Sequence, residues 1–118
     1  MFLAVRTIFS VDLSANELIV INEINYHSAD DFNPDDWVEL YNPLDETINI
    51  CSWVFLDEDD THVFTIPENY SLNSGDFLVL CKNTELFTAV FPEVDNYLGD
   101  LGFGLSGGGE PIRLFDSN

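Results

Sequence analysis

The alternation of side chains along residues 36–43 predicts a strand in the interior of a sheet. The odd-numbered positions place Trp37, Glu39 and Tyr41 on one face, and the even-numbered positions place two aliphatic side chains on the other, because successive side chains point to opposite faces. Large side chains on both faces are typical of a strand inside a sheet. The strand ends before Pro43, which cannot donate to a β-ladder. Glu39 within it requires hydrogen-bond donors, a cation or a place near the rim.

Further apolar runs predict an all-β fold with one short helix. Short runs of β-branched and aromatic residues between turn formers predict strands at residues 18–26, 47–51, 53–56, 62–66, 77–81 and 111–115. The strands at 53–56 and 62–66 form a predicted β-hairpin with an acidic tip. Helical spacing appears only after Asn83, a predicted N-cap, and Pro92 ends that helix after about two turns. This pattern is typical of a β-sandwich or a β-barrel.

Length and composition predict one domain with a substantial core. The chain has 118 residues, of which 46% are hydrophobic, and it contains ten Phe, four Tyr and two Trp. We assign the domain to residues 18–118 and interpret residues 1–17 as an N-terminal extension or an extra strand. The apolar start of the chain is interrupted by Arg6 and Asp12 and is too short to span a bilayer. It also lacks the basic start and the cleavage site of a clear signal peptide.

The charge of the chain excludes one class of partner. Three Lys and Arg stand against 22 Asp and Glu, so the formal net charge is −19. Nucleic acids and anionic membranes are bound through cations that neutralise phosphate, and this chain has almost none. Cationic partners and divalent metal ions are favoured instead. The abundance of aromatic residues argues against intrinsic disorder, which so acidic a composition would otherwise indicate.

Two acidic segments offer several hard oxygen ligands within one turn, as Ca²⁺ sites do. One is the predicted hairpin tip, formed by Asp57, Glu58, Asp59 and Asp60. The other is a loop that contains Asp30, Asp31, Asp35 and Asp36. Neither has the spacing of an EF-hand loop, and a solvated acidic face is the alternative for both. The tip is the better candidate because a hairpin holds its side chains more rigidly. We expect no other cofactor.

The titratable residues do not favour catalysis. Glu23 and Glu39 are carboxylates on strands, and a glycosidase needs two carboxylates at a defined separation. A structural role is the simpler interpretation, in which they cap loops or one of them pairs with Arg113, the best placed cation. His27 and His62 stand beside acidic loops, where a histidine is more often a solvated hydrogen-bonding group than a general base.

Cys51 and Cys81 are the two cysteines, and their spacing fits no metal-binding motif. Each borders an apolar run, which favours two buried thiols that act as small hydrophobic side chains. A disulfide between them would require their strands to face one another, and the sequence leaves this open.

Six segments in a fixed order resemble the lamin tail domain family. They are Ile21-Asn22-Glu23-Ile24, Trp37-Val38-Glu39-Leu40-Tyr41-Asn42, Ile50-Cys51-Ser52-Trp53 with Asp57 following, Phe64-Thr65-Ile66-Pro67, Leu72-Asn73-Ser74-Gly75, and Leu105-Ser106-Gly107 leading to Ile112-Arg113-Leu114-Phe115-Asp116. The structural signature positions are Glu23, Trp37, Glu39, Tyr41, Trp53 and Arg113. The resemblance implies an immunoglobulin-like β-sandwich that is not catalytic. Since the chain has no coiled-coil heptads, it resembles the bacterial stand-alone modules rather than an intermediate filament.

The chain departs from the family pattern in two places. Cys51-Ser52 stands where family members usually have Ser-Gly, which removes the backbone freedom of a glycine. Family members also continue past the final Asp-Ser-Asn turn with another strand, and this chain does not. Unless the N-terminal segment supplies that strand, the resemblance implies an open sheet edge, through which the chain would associate with a second copy or a partner.

The resemblance implies a non-catalytic module for protein interaction or attachment at the cell envelope, located outside the cell or in the envelope. A first alternative is a structural spacer whose acidic loops bind Ca²⁺. A second alternative is an accessory domain that positions substrate for a secreted hydrolase. Sugar binding would be favoured by exposed tryptophans, whereas Trp37 and Trp53 stand in predicted strands and are expected in the core.

Overall fold

The structure is a computed structural model, and it describes residues 19–26, 33–105 and 112–117. These residues form nine strands and one helix: β1 (Val20–Asn25), β2 (Trp37–Tyr41), β3 (Ile48–Asn49), β4 (Val54–Leu56), β5 (Val63–Thr65), β6 (Ser71–Leu72), β7 (Phe77–Cys81), α1 (Thr84–Val90), β8 (Tyr97–Leu98) and β9 (Arg113–Phe115). The predicted extension at 1–17, His27 and the acidic pair at 30 and 31 lie outside the described residues. The all-β class with one short helix is confirmed.

The described strands form three sheets. The largest has the order β1-β2-β7-β8, a second has the order β5-β4-β9, and β3 pairs with β6. Strand β2 therefore lies inside its sheet, as its two occupied faces predict. The pairs are antiparallel except β7–β8, which is parallel. The predicted hairpin of β4 and β5 is present, whereas the two-residue strands β6 and β8 carry too little pattern to be predicted.

One hydrophobic core lies between the four-stranded and the three-stranded sheets. Val38 and Leu40 of β2 enter it from one side, and Phe55 of β4 and Leu114 of β9 enter it from the other, all fully buried. Trp53 is also buried in this core, as predicted. Burial of side chains from two facing sheets is the arrangement of a β-sandwich.

An extra residue in β1 keeps its apolar side chains on the core face. Ile21 pairs with Leu40 and Glu23 pairs with Glu39, so β1 advances by two residues where β2 advances by one. This β-bulge leaves Asn22 as the additional residue. The isoleucines at 21 and 24 then both face the core, although their spacing of three residues would put them on opposite faces of a regular strand.

Helix α1 covers part of the opposite face of the four-stranded sheet. The Asn83 side chain accepts a hydrogen bond from the Leu86 amide at 3.0 Å, and the Asp100 carboxylate accepts one from the Thr84 amide at 2.7 Å. Asn83 is therefore the N-cap, as predicted, and the helix ends at Val90 before Pro92. Its buried residue, Phe87, packs with Val79 and Cys81 in a second apolar cluster.

Cys51 and Cys81 are both free thiols, so the structure has no disulfide between them. Cys81 is fully buried, as predicted, but Cys51 is half-buried, and the prediction of two buried thiols is wrong for it because it lies in the turn before Trp53. Ser52 in the same turn has φ of 63°. This left-handed conformation is the one that glycine adopts most readily, which explains why the family prefers glycine there.

The end of β2 is held by Asn42, a fully buried polar residue. Its side-chain amide donates to the carbonyl oxygens of Glu46 and Leu72 at 2.8 and 2.9 Å, and its side-chain oxygen accepts from the Leu44 amide at 3.0 Å. Its backbone also exchanges hydrogen bonds with the turn at residues 75 and 76. Asn42 thus joins the end of β2, the following turn and strand β6.

We expect Asn42→Asp to destabilise the fold by about 3 kcal/mol, since it replaces two buried donors by a carboxylate oxygen facing two carbonyl oxygens. Urea unfolding followed by tryptophan fluorescence measures the change in the free energy of unfolding. Asn49→Asp is the matched control: Asn49 is exposed and only its side-chain oxygen is used, as an acceptor for the Cys51 amide. Equal effects of the two substitutions would contradict the role of Asn42.

We expect Cys81 to resist alkylation in the folded protein while Cys51 reacts. Burial, with a contribution from the negative charge of Asp100, raises the pKa of the Cys81 thiol from 9.0 to about 11, so almost no thiolate forms at pH 8. Iodoacetamide labelling read by mass spectrometry checks this, with Cys51→Ser as the control that isolates Cys81.

The same shift predicts a loss of stability at alkaline pH. The unfolded thiol releases its proton near pH 9, whereas the folded thiol holds it until about pH 11, so the free energy of unfolding falls as the pH rises between these values. Cys81→Ala should lack this part of the pH dependence.

Candidate binding surface

The outer face of the four-stranded sheet, opposite the core, carries the aromatic and acidic side chains of β2. In register, Glu23 of β1, Glu39 of β2 and Val79 of β7 form one row across three strands. Tyr41 and Phe77 form another pair, and their rings stack with centroids 4.6 Å apart. Phe77 is 43% exposed and Tyr41 is half-buried, so the pair reaches solvent mainly through the Phe77 ring.

A groove runs along this outer face beside helix α1. Its first part has a volume of about 290 Å³ and is lined by Glu23, Trp37, Glu39, Val79, Phe87, Phe91 and Val94. Its second part has a volume of about 540 Å³ and is lined by Glu39, Asp76, Phe77, Val79, Val94, Asp95 and Asn96. The two parts share Glu39, Val79 and Val94, so we treat them as one groove with an apolar floor and acidic borders.

The tryptophan of β2 lies in the wall of this groove. The Phe87 and Phe91 rings each form a T-shaped contact with Trp37, with ring centroids 6.0 Å apart. Trp37 is half-buried within the second apolar cluster. The prediction that it lies in the core holds only in part: the alternation of β2 puts Trp37 on the outer face, where it packs against the second apolar cluster and α1 covers it incompletely.

Glu39 has the hydrogen-bond donor that its position on the strand requires. The Asn22 side-chain amide donates to Oε1 of Glu39 at 2.8 Å. The β-bulge makes this contact, because Asn22 is the extra residue of β1 beside the Glu23–Glu39 pair. Glu39 also lines the groove and is partly exposed, so it lies near the rim as well as having a donor.

Arg113 does not pair with either glutamate, and that expectation is wrong. Strand β9 lies in the other large sheet, where the Arg113 guanidinium donates to the carbonyl oxygen of Asp57 and contacts Oδ1 of Asp60 at 2.7 Å. The sequence places Arg113 on a strand but does not say which sheet contains it, and this decides the partner.

Carboxylate side chains in the tip of the β4–β5 hairpin accept hydrogen bonds from other residues of the tip. Asp57 is only 2% exposed, and its two side-chain oxygens contact the Asp59 amide at 2.8 Å and Nδ1 of His62 at 2.9 Å. The Asp59 side chain accepts from the amide and hydroxyl of Thr61. These two hydrogen bonds are the main reason that the pKa of Asp59 is lowered.

Three of the tip carboxylates, those of Asp57, Asp59 and Asp60, therefore serve as local hydrogen-bond acceptors or ion-pair partners. In the part of the chain that the structure describes, no three His, Cys, Asp or Glu side chains are grouped as a metal site would require. A Ca²⁺ ion at Asp57, Glu58, Asp59 and Asp60 stays a prediction. Melting in millimolar Ca²⁺ and in chelator tests it.

His62 also contributes contacts that hold the hairpin tip. Its ring stacks on Phe103 with centroids 5.1 Å apart and an interplanar angle of 11°, and it contacts Asp57. A histidine held between a carboxylate and a core aromatic ring supports a structural interpretation of this residue rather than a catalytic one.

A comparison with protein-family models matches the lamin tail domain over residues 13–118. The chain belongs to the lamin tail domain family. The resemblance noted in the sequence is confirmed, and with it the immunoglobulin-like β-sandwich. Family membership indicates a non-catalytic interaction module of this fold. A search of curated proteins found no match. Among the described residues, no helix is long and apolar enough to cross a membrane.

The structure brings together three of the six signature residues at the groove, namely Glu23, Trp37 and Glu39. Tyr41 lies beside it through its stacking on Phe77, whereas Trp53 and Arg113 belong to the core and the tip. Sequence reasoning missed the contribution of Phe77 and Val94. The alternation of the strand at 77–81 pairs Phe77 and Val79 on one face, but only the sheet register puts that face next to Glu39.

We expect Arg113→Met to destabilise the domain by about 1–2 kcal/mol, because it removes the donors to the buried end of the hairpin tip while keeping much of the apolar stem. Asp60→Asn should change the free energy of unfolding by less than about 0.5 kcal/mol, since Asp60 is 82% exposed and its ion pair is screened by water. Chemical denaturation of both variants measures the difference. A larger loss for Asp60→Asn would show that the ion pair, rather than the carbonyl contact, carries the stability.

Proposed function

We propose that this lamin tail domain is a non-catalytic module that binds a partner protein through the groove and acts outside the cell or at the cell envelope. The observation that supports this most directly is the exposed ring of Phe77, stacked on the half-buried Tyr41 beside an apolar groove. Aromatic residues with large exposed area are enriched at the centres of protein interfaces. The acidic border favours a basic partner surface.

Other uses of the domain have less support. Accessory sugar binding would be favoured by an exposed tryptophan platform, but Trp53 is buried and Trp37 is flanked by two phenylalanine rings. Self-association through a sheet edge is an alternative: among the described strands, β9 pairs with β4 on one side and shows no second strand partner. The alternative of a structural spacer stiffened by Ca²⁺ depends on the predicted Ca²⁺ site at the hairpin tip.

We expect the double variant Tyr41→Ser/Phe77→Ser to bind cell envelopes of the source organism at least about tenfold more weakly than the wild-type domain, because truncation of central aromatic contacts often costs 2 kcal/mol or more. Co-sedimentation of the purified domain with isolated envelopes measures this. Val63→Ser is the control, since Val63 is 47% exposed on β5 of the other sheet.

Unchanged binding of the double variant, with its melting temperature preserved, would contradict the proposed surface. Light scattering on the same samples addresses the alternative. A mass of two chains that persists in the double variant would support association through a sheet edge.

A further inference from the structure

We propose that Glu23, Glu39 and the apolar wall beside them bind one lysine or arginine side chain of a partner protein. This inference rests on the proposed function, because it gives the groove a specific chemical role. The site is the smaller part of the groove, which we call the acidic pocket and which is lined by the two glutamates together with Trp37, Val79, Phe91 and Val94.

Two like charges face each other in the acidic pocket. Glu23 and Glu39 are direct partners across β1 and β2, and side chains in such positions have Cβ atoms about 5 Å apart. Like charges in this arrangement repel each other, and the repulsion is relieved when a cation lies between them. Asn22 holds one oxygen of Glu39 in place, so part of the pocket is organised before a ligand enters.

The cations that the structure describes are engaged elsewhere. Lys82 Nζ lies 3.4 Å from Oδ1 of Asp35, and Arg113 contacts Asp60 and the Asp57 carbonyl at the hairpin tip. Within residues 19–26, 33–105 and 112–117, no ion pair involves Glu23 or Glu39. The third cation of the chain, Arg6, lies outside the described residues. The two cations that the structure describes leave the charges of Glu23 and Glu39 uncompensated, and the proposal assigns the complementary charge to a partner.

The rest of the acidic pocket matches the stem of a long basic side chain. Val79 and Val94 provide aliphatic surface, and Trp37 and Phe91 provide aromatic surface next to the carboxylates. Lysine and arginine bury an apolar stem while the charged end contacts polar groups. Their cations are also attracted to aromatic rings, most strongly to tryptophan. A neutral apolar side chain would leave both carboxylates uncompensated.

The size of the acidic pocket favours a single side chain. Its volume of about 290 Å³ lies at or below the lower end of the range of pockets for small molecules, which is roughly 300–1,000 Å³. Trp37 lines the pocket, so the N–H resonance of its indole is a spectroscopic probe of binding there. The net charge of −19 adds a long-range attraction for basic segments.

The test titrates the purified domain with acetyl-Ala-Ala-Lys-Ala-Ala-amide and with the same peptide carrying acetyl-lysine. The indole N–H resonance of Trp37 is followed by NMR at 50 mM salt, with Trp37→Phe used to assign it. We expect the lysine peptide to shift this resonance in a saturable way and the acetyl-lysine peptide to bind at least fivefold more weakly, because acetylation removes the charge and keeps the stem.

Two charge-matched double variants locate the site. Glu23→Gln/Glu39→Gln should weaken binding of the lysine peptide about tenfold, as expected for the loss of two favourable charge contacts. Glu46→Gln/Glu68→Gln removes the same number of charges at exposed positions that line neither part of the groove and should change it less than twofold. Equal loss in the two variants, equal binding of the two peptides, or no saturable shift with the lysine peptide would each overturn the proposal.

The outcome is separable from that of the proposed function. Loss of envelope binding in Tyr41→Ser/Phe77→Ser, together with no lysine binding, would leave the groove as an interaction surface without this pocket. Specific lysine binding with unchanged envelope attachment would place the pocket on a surface that envelope attachment does not use. The comparison of lysine with acetyl-lysine uses the wild-type chain, so it does not depend on the folding of any variant.

Discussion

The buried amide of Asn42 is the interaction on which the sandwich most depends. It lies where β2 leaves the main sheet, and it satisfies two carbonyl oxygens and one amide from segments that would otherwise end unpaired in an apolar environment. Buried backbone groups without partners are costly, so a single side chain that serves three of them constrains the local fold strongly. The position of β2 in turn determines both the core and the outer face.

Strand β2 gives the four-stranded sheet two different faces. Its aliphatic side chains complete the main core, whereas its aromatic and acidic side chains face outward beside α1. The helix is short and contributes one buried residue, Phe87, so it covers only part of that face. The uncovered remainder is the groove, which combines apolar area with carboxylates in the way that interfaces with basic partners do.

Among the described residues, five carboxylates accept hydrogen bonds from backbone amides. Asp36 accepts from the Leu105 amide at 2.6 Å, Asp57 from the Asp59 amide, and Asp100 from the first amide of α1. With so few cations, backbone N–H groups are an important source of donors, and hydrogen bonds to a charged acceptor are stronger than those between neutral groups. The acidic composition is therefore partly structural, and it does not by itself indicate metal binding.

The sequence by itself determined the strand class, the position of α1 and the two faces of β2, because these follow from local periodicity and from capping residues such as Asn83. The ordered segments around Glu39 and Trp53 also sufficed to indicate the family. Tertiary structure alone decided which sheet holds Arg113 and that Asn42 is a buried junction rather than only a strand end. It also decided that Phe77 and Val94 meet Glu39 in one groove. These depend on pairing between segments far apart in the chain, and a period-two pattern carries no information about which strands become neighbours.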